Sequence, residues 1–172
     1  LQGLFGCKTF ISRIGYEDAM AHPSHAFLEL SPNRYSYFFT PDVLLEDGDH
    51  IRLGNTDILC KLTPGHSLGS MSFFFDATDG KNTYRAGMLG GAGMITLYKG
   101  FLLFQDLPLD APDQYRKTLY LLREYPVDIT LGTHPPQNRT EERRAAMLAD
   151  PSSEPFVDPA GWTQQLDTLE SM

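Results

Sequence analysis

Hydrophobic positions along the chain change period several times, and each change marks an element. Alternation over Cys7 to Ser12 predicts a short strand, and Tyr16 to Ala21 predicts a short helix stopped by Pro23. The aromatic run Tyr35 to Phe39 reads as strand or loop. The Asp-Gly pair in Glu46-Asp47-Gly48-Asp49 predicts a tight turn into a strand over His50 to Leu53. Gly54-Asn55 then turns the chain into a second strand, Asp57 to Leu62. Further strands are predicted over Met71 to Asp76 and Thr83 to Leu89. A helix is predicted over Pro112 to Arg123, with Tyr115, Leu119 and Leu122 on one face. Val127 to Leu131 is a compact apolar strand. Helices then follow from Thr140 to Leu148 and from Asp158-Pro159 through Leu169, the last with Trp162, Leu166 and Leu169 in one stripe. Strands interleaved with helices, without internal repeat or linker, predict one α/β domain or part of one.

Composition narrows the class. With 172 residues, 41% hydrophobic and 12% aromatic, the chain can bury a core. A net charge of -8 excludes the Lys/Arg-rich surface that a phosphate backbone demands, so no nucleic-acid partner is expected. No apolar run approaches bilayer length, so no membrane partner is expected either. Cys7 and Cys60 are too few and too far apart for a thiolate metal site; they either form a disulfide or sit in the core as small apolar residues. Leu1-Gln2-Gly3-Leu4-Phe5-Gly6 reads as a helix tail with a glycine stop, as though cut from a longer chain, which leaves the compartment open.

Candidate chemistry concentrates in Thr63-Pro64-Gly65-His66-Ser67-Leu68-Gly69-Ser70, which carries two rival signals. Gly65-His66-Ser67-Leu68-Gly69 fits the Gly-x-Ser-x-Gly elbow of serine hydrolases, and Ser67, Asp128 and His134 follow the chain order of a triad. Against it, Thr63-Pro64 interrupts the incoming strand, a strand rather than a helix leaves, and Asp128 stands only six residues before His134. The other signal is metal binding by His66 and His134, each in a stiff loop just after a strand. Zinc wants three or four protein ligands, and spacing alone supplies no third; on spacing, both remain open as ordinary loop histidines. His22 and His25 flank Pro23, which disfavours a helical metal pair, and they read as two solvated loop histidines. The glycine run Gly87 to Gly93 lacks a Gly-Lys-Ser/Thr ending and reads as a sharp backbone turn rather than a phosphate loop.

The run Asp47-Gly48-Asp49, Leu53-Gly54 and Leu62-Thr63-Pro64-Gly65-His66-Ser67-Leu68-Gly69-Ser70 resembles the middle of the metallo-β-lactamase superfamily, where a DGD…LG hairpin leads to a TPGHTxGS loop. Tyr115-Arg116, Val127-Asp128-Ile129 before His134-Pro135, and Asp158-Pro159-Ala160-Gly161-Trp162 are similar to the third subclass of true metallo-β-lactamases. The resemblance runs from Cys7 to the C-terminus. It implies the C-terminal half of an αββα sandwich, a mixed sheet with flanking helices, so that residues 1–172 are a partial domain lacking its N-terminal half. It implies that His66 belongs to a first zinc site and His134 to a second, with two zinc ions in the intact protein. The other ligands would come from an upstream His-x-His-x-Asp-His motif that this sequence does not contain. The implied reaction is attack of metal-activated water on the carbonyl of a cyclic amide or ester, β-lactam-like, in a small-molecule substrate. Met88 stands where many relatives place a bridging Asp and the lactamase subclass often has Ser; a thioether cannot bridge hard ions through oxygen. Half a sandwich leaves one apolar sheet face, so the resemblance also implies a partner: the missing N-terminal half or a second copy. The alternative is a non-catalytic half-domain that pairs with another chain.

Overall fold

A computed structural model describes residues 2–26 and 40–172, so the reading of Tyr35 to Phe39 lies outside the described residues. The chain opens with α1 (Gln2–Phe5), and Gly6 ends it in the left-handed region (φ 62°) with its N–H bonded to Gln2 O. The expected glycine stop is therefore present. β1 (Phe10–Ser12) is shorter than the alternation suggested, and Cys7 lies outside it, exposed. The core reading fails for Cys7, whose position has no strand to turn it inward. It holds for Cys60, which is fully buried; both cysteines are free, so no disulfide links them. Burial pushes the Cys60 thiol pKa up, which keeps it an inert apolar residue.

Ser12 does two things at the start of α2 (Arg13–Ala21). Its Oγ accepts the Gly15 N–H at 3.2 Å, capping the helix, and donates to Gly69 O at 2.7 Å. A Cβ on Gly69 would stand 2.3 Å from Gly15 Cα, so the helix start and the loop after His66 touch backbone to backbone. A 3₁₀ turn follows over Pro23–Ala26. His25 is not a solvated loop residue: its side chain is only 8% exposed. Nδ1 lies 3.0 Å from Asp18, Nε2 lies 3.1 Å from Asp106 O, and the ring stacks on His22 at 4.8 Å. Sequence distance hid the Asp106 partner.

Two sheets form. β1 pairs in parallel with β2 (Val43–Leu45). The larger sheet has the order β3 (His50–Leu53), β4 (Thr56–Leu62), β5 (Met71–Thr78), β6 (Thr83–Met88), β7 (Ile129–Leu131). Neighbours are antiparallel except β6 and β7, which run parallel. The Asp47-Gly48-Asp49 turn is held by its carboxylates. Asp47 accepts Leu62 N–H at 2.8 Å and Lys61 Nζ at 2.7 Å, and Asp49 accepts Glu46 N–H at 2.8 Å. Burial pushes the Asp47 pKa up, yet the Lys61 and Leu62 hydrogen bonds outweigh it and hold the carboxyl below its usual range.

Alternation gives the sheet two apolar faces. On one, Leu59 and Phe74 meet α4 (Ala111–Leu122) and α6 (Gly161–Glu170) through Tyr115, Leu119, Leu122, Trp162 and Leu166. The predicted stripes of both helices are buried, and Trp162 Nε1 donates to Leu122 O at 3.0 Å. On the other face, Cys60, Met71 and Phe73 pack with Phe10, Val43 and Leu45 of the small sheet, which begins a second layer there. The sequence pattern missed α3 (Lys99–Phe104), whose six residues are too few to show a period. α5 (Thr140–Ala149) buries no residue. It is tied down by Arg143, which donates to Pro155 O and to Asp158 Oδ2, each at 2.7 Å.

Candidate metal-ligand loops at one sheet edge

Strand direction assembles the site. β4 and β6 are both antiparallel to β5, and β7 is parallel to β6, so β4, β6 and β7 point the same way. The loops at their C-terminal ends therefore emerge at one edge of the sheet: His66 after β4, the glycine run after β6, and His134 after β7. Two histidines 68 positions apart in sequence reach that edge through topology alone.

Each residue of the Thr-Pro-Gly-His turn has a structural task. Thr63, buried, shares a hydrogen bond with Ser72 Oγ at 3.0 Å, and Ser72 Oγ accepts Gly90 N–H at 3.2 Å, joining the β4 and β6 loops. Pro64 O accepts the Thr118 hydroxyl at 2.7 Å, which docks the turn on α4. Gly65 has φ 131°, and a Cβ there would lie 2.5 Å from Tyr115 Cα, so only glycine fits against the helix backbone. Tyr115 itself is buried, with its phenol pKa pushed up to about 12 by desolvation.

The imidazole of His66, half-buried, is held from above. Gly91 has φ 74°, and a Cβ on it would stand 2.5 Å from His66 Cβ and 2.6 Å from Cγ; one on Gly93 would reach 3.2 Å from Cε1. The glycine run is a flat cover over the ring, a task beyond the sharp turn read from sequence. Gly93 O lies 2.8 Å from His66 Nδ1. A carbonyl only accepts, so Nδ1 is the donor in this contact, and in the neutral ring the lone pair falls to Nε2. Thr96 Oγ1 is 3.0 Å from the same nitrogen and 3.5 Å from Gly93 O, reinforcing that orientation. Gly91, Gly93 and Thr96 were not legible as site residues, because a backbone carbonyl and a missing Cβ leave no pattern in sequence.

His134 is exposed, in a loop fixed by Gln137. Gln137 Oε1 accepts Thr133 N–H at 2.9 Å, Thr133 Oγ1 at 2.8 Å and His134 N–H at 3.1 Å, while Pro135–Asn138 winds into a 3₁₀ turn. Asn138, buried, anchors that turn by donating to Thr130 O at 2.9 Å. Among the described residues no group of three or more His, Cys, Asp or Glu side chains converges to hold a metal. Met88 is the last residue of β6, opposite Phe73 and Leu131, and adds no oxygen donor to this edge.

The geometry is not that of a serine elbow. Ser67 Oγ shares a hydrogen bond with Ser70 Oγ at 2.9 Å, and the chain leaves the turn into strand β5. Asp128 spends a carboxylate oxygen on Arg85 N–H at 2.8 Å, serving the β6–β7 edge rather than an imidazole. Asp158-Pro159-Ala160-Gly161-Trp162 is likewise structural: Asp158 N–H bonds Asp128 O at 2.7 Å, and Gly161 passes close over the Asp158 carboxylate.

No family model matches the sequence, and no curated protein matches it. Solved structures do match its shape. The subclass B3 metallo-β-lactamase BJP-1 of Bradyrhizobium japonicum superposes with a TM-score of 0.74 at 21% identity, over 99% of this chain and 62% of that one. The metallo-β-lactamase GOB-18 from Elizabethkingia meningoseptica gives 0.77 at 21% identity, over 99% and 62%. The native FEZ-1 metallo-β-lactamase from Legionella gormanii gives 0.77 at 22% identity, over 99% and 64%. The chain spans less than two thirds of the length of each of these structures. It has the mixed sheet and flanking helices of a metallo-β-lactamase half-domain.

Proposed function

We propose that this chain supplies His66 and His134 to a zinc-dependent hydrolase of the metallo-β-lactamase superfamily. The observation that carries the reading is the hydrogen bond of His66 Nδ1 to Gly93 O, in a loop at the edge where His134 also emerges: a carbonyl there makes Nδ1 the donor and, in the neutral ring, leaves the lone pair to Nε2. A neutral imidazole with its second nitrogen fixed by a carbonyl is the donor that zinc takes. In this reading His66 serves one ion and His134 the other of two, with the remaining ligands coming from an upstream histidine- and aspartate-rich segment. Zinc, when bound, is a Lewis acid that makes water acidic near neutral pH. The chain's own residues hold the geometry: the glycine cover and Thr96 fix one ring, and Gln137 fixes the loop of the other. The substrate is a small molecule with a cyclic amide or ester carbonyl, β-lactam-like.

The same reading gives the Cys60 face of the sheet a partner. Phe73 and Phe75 of β5 and Met88 of β6 continue that face and are only half-buried, while β1 and β2 cover one part of it. The N-terminal half of the sandwich completes this layer, or a second copy does.

The test replaces His66 and His134 by Ala, singly and together, in the intact protein. Each single change is expected to lower bound zinc and hydrolysis, and the pair to abolish both, with the folded circular dichroism spectrum retained. Unchanged zinc content in the double variant overturns the proposal.

A further inference from the structure

His25 stands apart from the histidine edge and answers to other neighbours. Its side chain is 8% exposed, and Asp18, 16% exposed, turns both carboxylate oxygens on Nδ1 at 3.0 and 3.1 Å. On the other side of the ring, Nε2 lies 3.1 Å from the backbone carbonyl of Asp106. An ionised carboxylate and a carbonyl both only accept, so the ring satisfies both contacts only when both nitrogens carry hydrogen. The extra proton sits on the ring rather than on Asp18. A free imidazole holds a proton more tightly than a free carboxylate, with a pKa of about 6.5 against about 3.9. Among the described residues Asp18 has no other ion-pair partner, so a carboxylate largely out of water depends on this one cation.

Three titratable residues face the ring. Asp18 comes from α2, and His22, exposed just past its end, stacks on His25 at 4.8 Å, where a charge on it would oppose a charge on His25. Asp106 follows α3 and meets the ring through its carbonyl. It is exposed and takes φ 54°, a left-handed conformation that costs a residue with a Cβ. Leu107 N–H closes on Leu102 O at 2.9 Å across that bend. α2 thus grips two loops. Ser12 at its start donates to Gly69 O, in the turn after His66, at 2.7 Å. His25 past its end holds the segment that runs through α3 from Thr96, whose hydroxyl lies 3.0 Å from His66 Nδ1. When the His25 ring gives up a proton, the remaining one stays on Nδ1 beside the carboxylate. Nε2 is then left with a lone pair facing a carbonyl oxygen, which repels it.

From this we infer that His25 is a proton-operated clamp: doubly protonated, it fastens the end of α3 to α2; with one proton, it keeps Asp18 and releases Asp106. The fastening is present at low pH and is lost as pH rises. The clamp belongs to the fold; only what the freed segment serves, the orientation of a metal-binding His66, rests on the hydrolase reading.

The test is nitrogen-15 NMR and amide hydrogen exchange on the intact protein between about pH 5 and 8, the range in which histidine changes charge. Both are run with a chelator and again with added zinc. Both ring nitrogens of His25 are expected to carry hydrogen at the low end, and Nε2 alone to lose it at the high end. With the same midpoint, the protection of Leu107 N–H, corrected for the intrinsic pH dependence of exchange, is expected to fall at least about tenfold, the worth of one hydrogen bond from a charged group. His25→Gln is expected to abolish the fall. Asp106→Asn keeps the carbonyl and tolerates the left-handed bend, and His22→Phe keeps the stack without its charge; both are expected to retain the fall. Protection that is flat or rises with pH, Nδ1 rather than Nε2 losing its hydrogen, a fall that persists in His25→Gln, a fall that vanishes in either of the other variants, or a fall seen only with zinc would each overturn the inference. The expected fall, together with zinc content untouched by the changes at His66 and His134, would sink the hydrolase reading and leave the clamp standing; flat protection with zinc lost in those variants would do the reverse.

Discussion

Replacing Gly91 by Ala should disturb His66 without touching any polar group. Gly91 sits at φ 74°, and a new Cβ would stand 2.5 Å from His66 Cβ and 2.6 Å from Cγ and Cδ2. Two costs add. Holding alanine in the left-handed region costs about 1–2 kcal/mol. Overpacking against a ring that cannot easily retreat costs about 1–3 kcal/mol more. Gly54→Ala separates them, because Gly54 has φ 58° with nothing within 4 Å of its would-be Cβ and bears only the first cost. In urea denaturation the Gly91 variant should therefore lose about 1–3 kcal/mol more than the Gly54 variant. For a domain of this size that is about 2–4 °C in Tm per kcal/mol. Nitrogen-15 NMR should also show that the protonated Nδ1 of His66 has lost its single, fixed environment. Equal destabilisation of the two variants, with the Nδ1–H signal unchanged, would refute the glycine cover.

Two further predictions concern the frame. Trp162 is 2% exposed, donates to Leu122 O and meets Phe74 edge-on at 5.7 Å, so Trp162→Ala should cost about 3–5 kcal/mol in chemical unfolding; a loss under about 1 kcal/mol would mean that α6 does not depend on this anchor. The Asp47 carboxyl is held below its ordinary range, so the stability it contributes is present above the unfolded-state pKa, about 3.9, and is lost as pH falls through the lower folded value. Its side chain is 51% exposed, so solvent screening keeps the charge contribution below about 1 kcal/mol. The urea midpoints of wild type and Asp47→Asn should differ near neutrality and converge in acid; a difference constant with pH would place the effect elsewhere.

Much of the frame was written in local sequence. The Asp-Gly and Gly-Asn turns, the alternation of β4 and β5, and the 3.6-residue stripes of α4 and α6 depend on near neighbours, and each formed within a few residues of where the pattern put it. Local pattern misplaced Cys7 and His25, because burial depends on what packs against a residue, and Asp106, which meets His25, stands far along the chain. The candidate histidines divide in the same way. Sequence placed His66 and His134 each in a stiff loop after a strand. Only the parallel sense of β4, β6 and β7 carried those loops to one edge, and only the packing of Gly91 and Gly93 decided which ring nitrogen of His66 holds the proton. Chain pattern records what each segment prefers next to its neighbours. Strand order, backbone contact and the hydrogen-bond partner of an imidazole arise between segments distant in sequence, and the tertiary structure alone decides them.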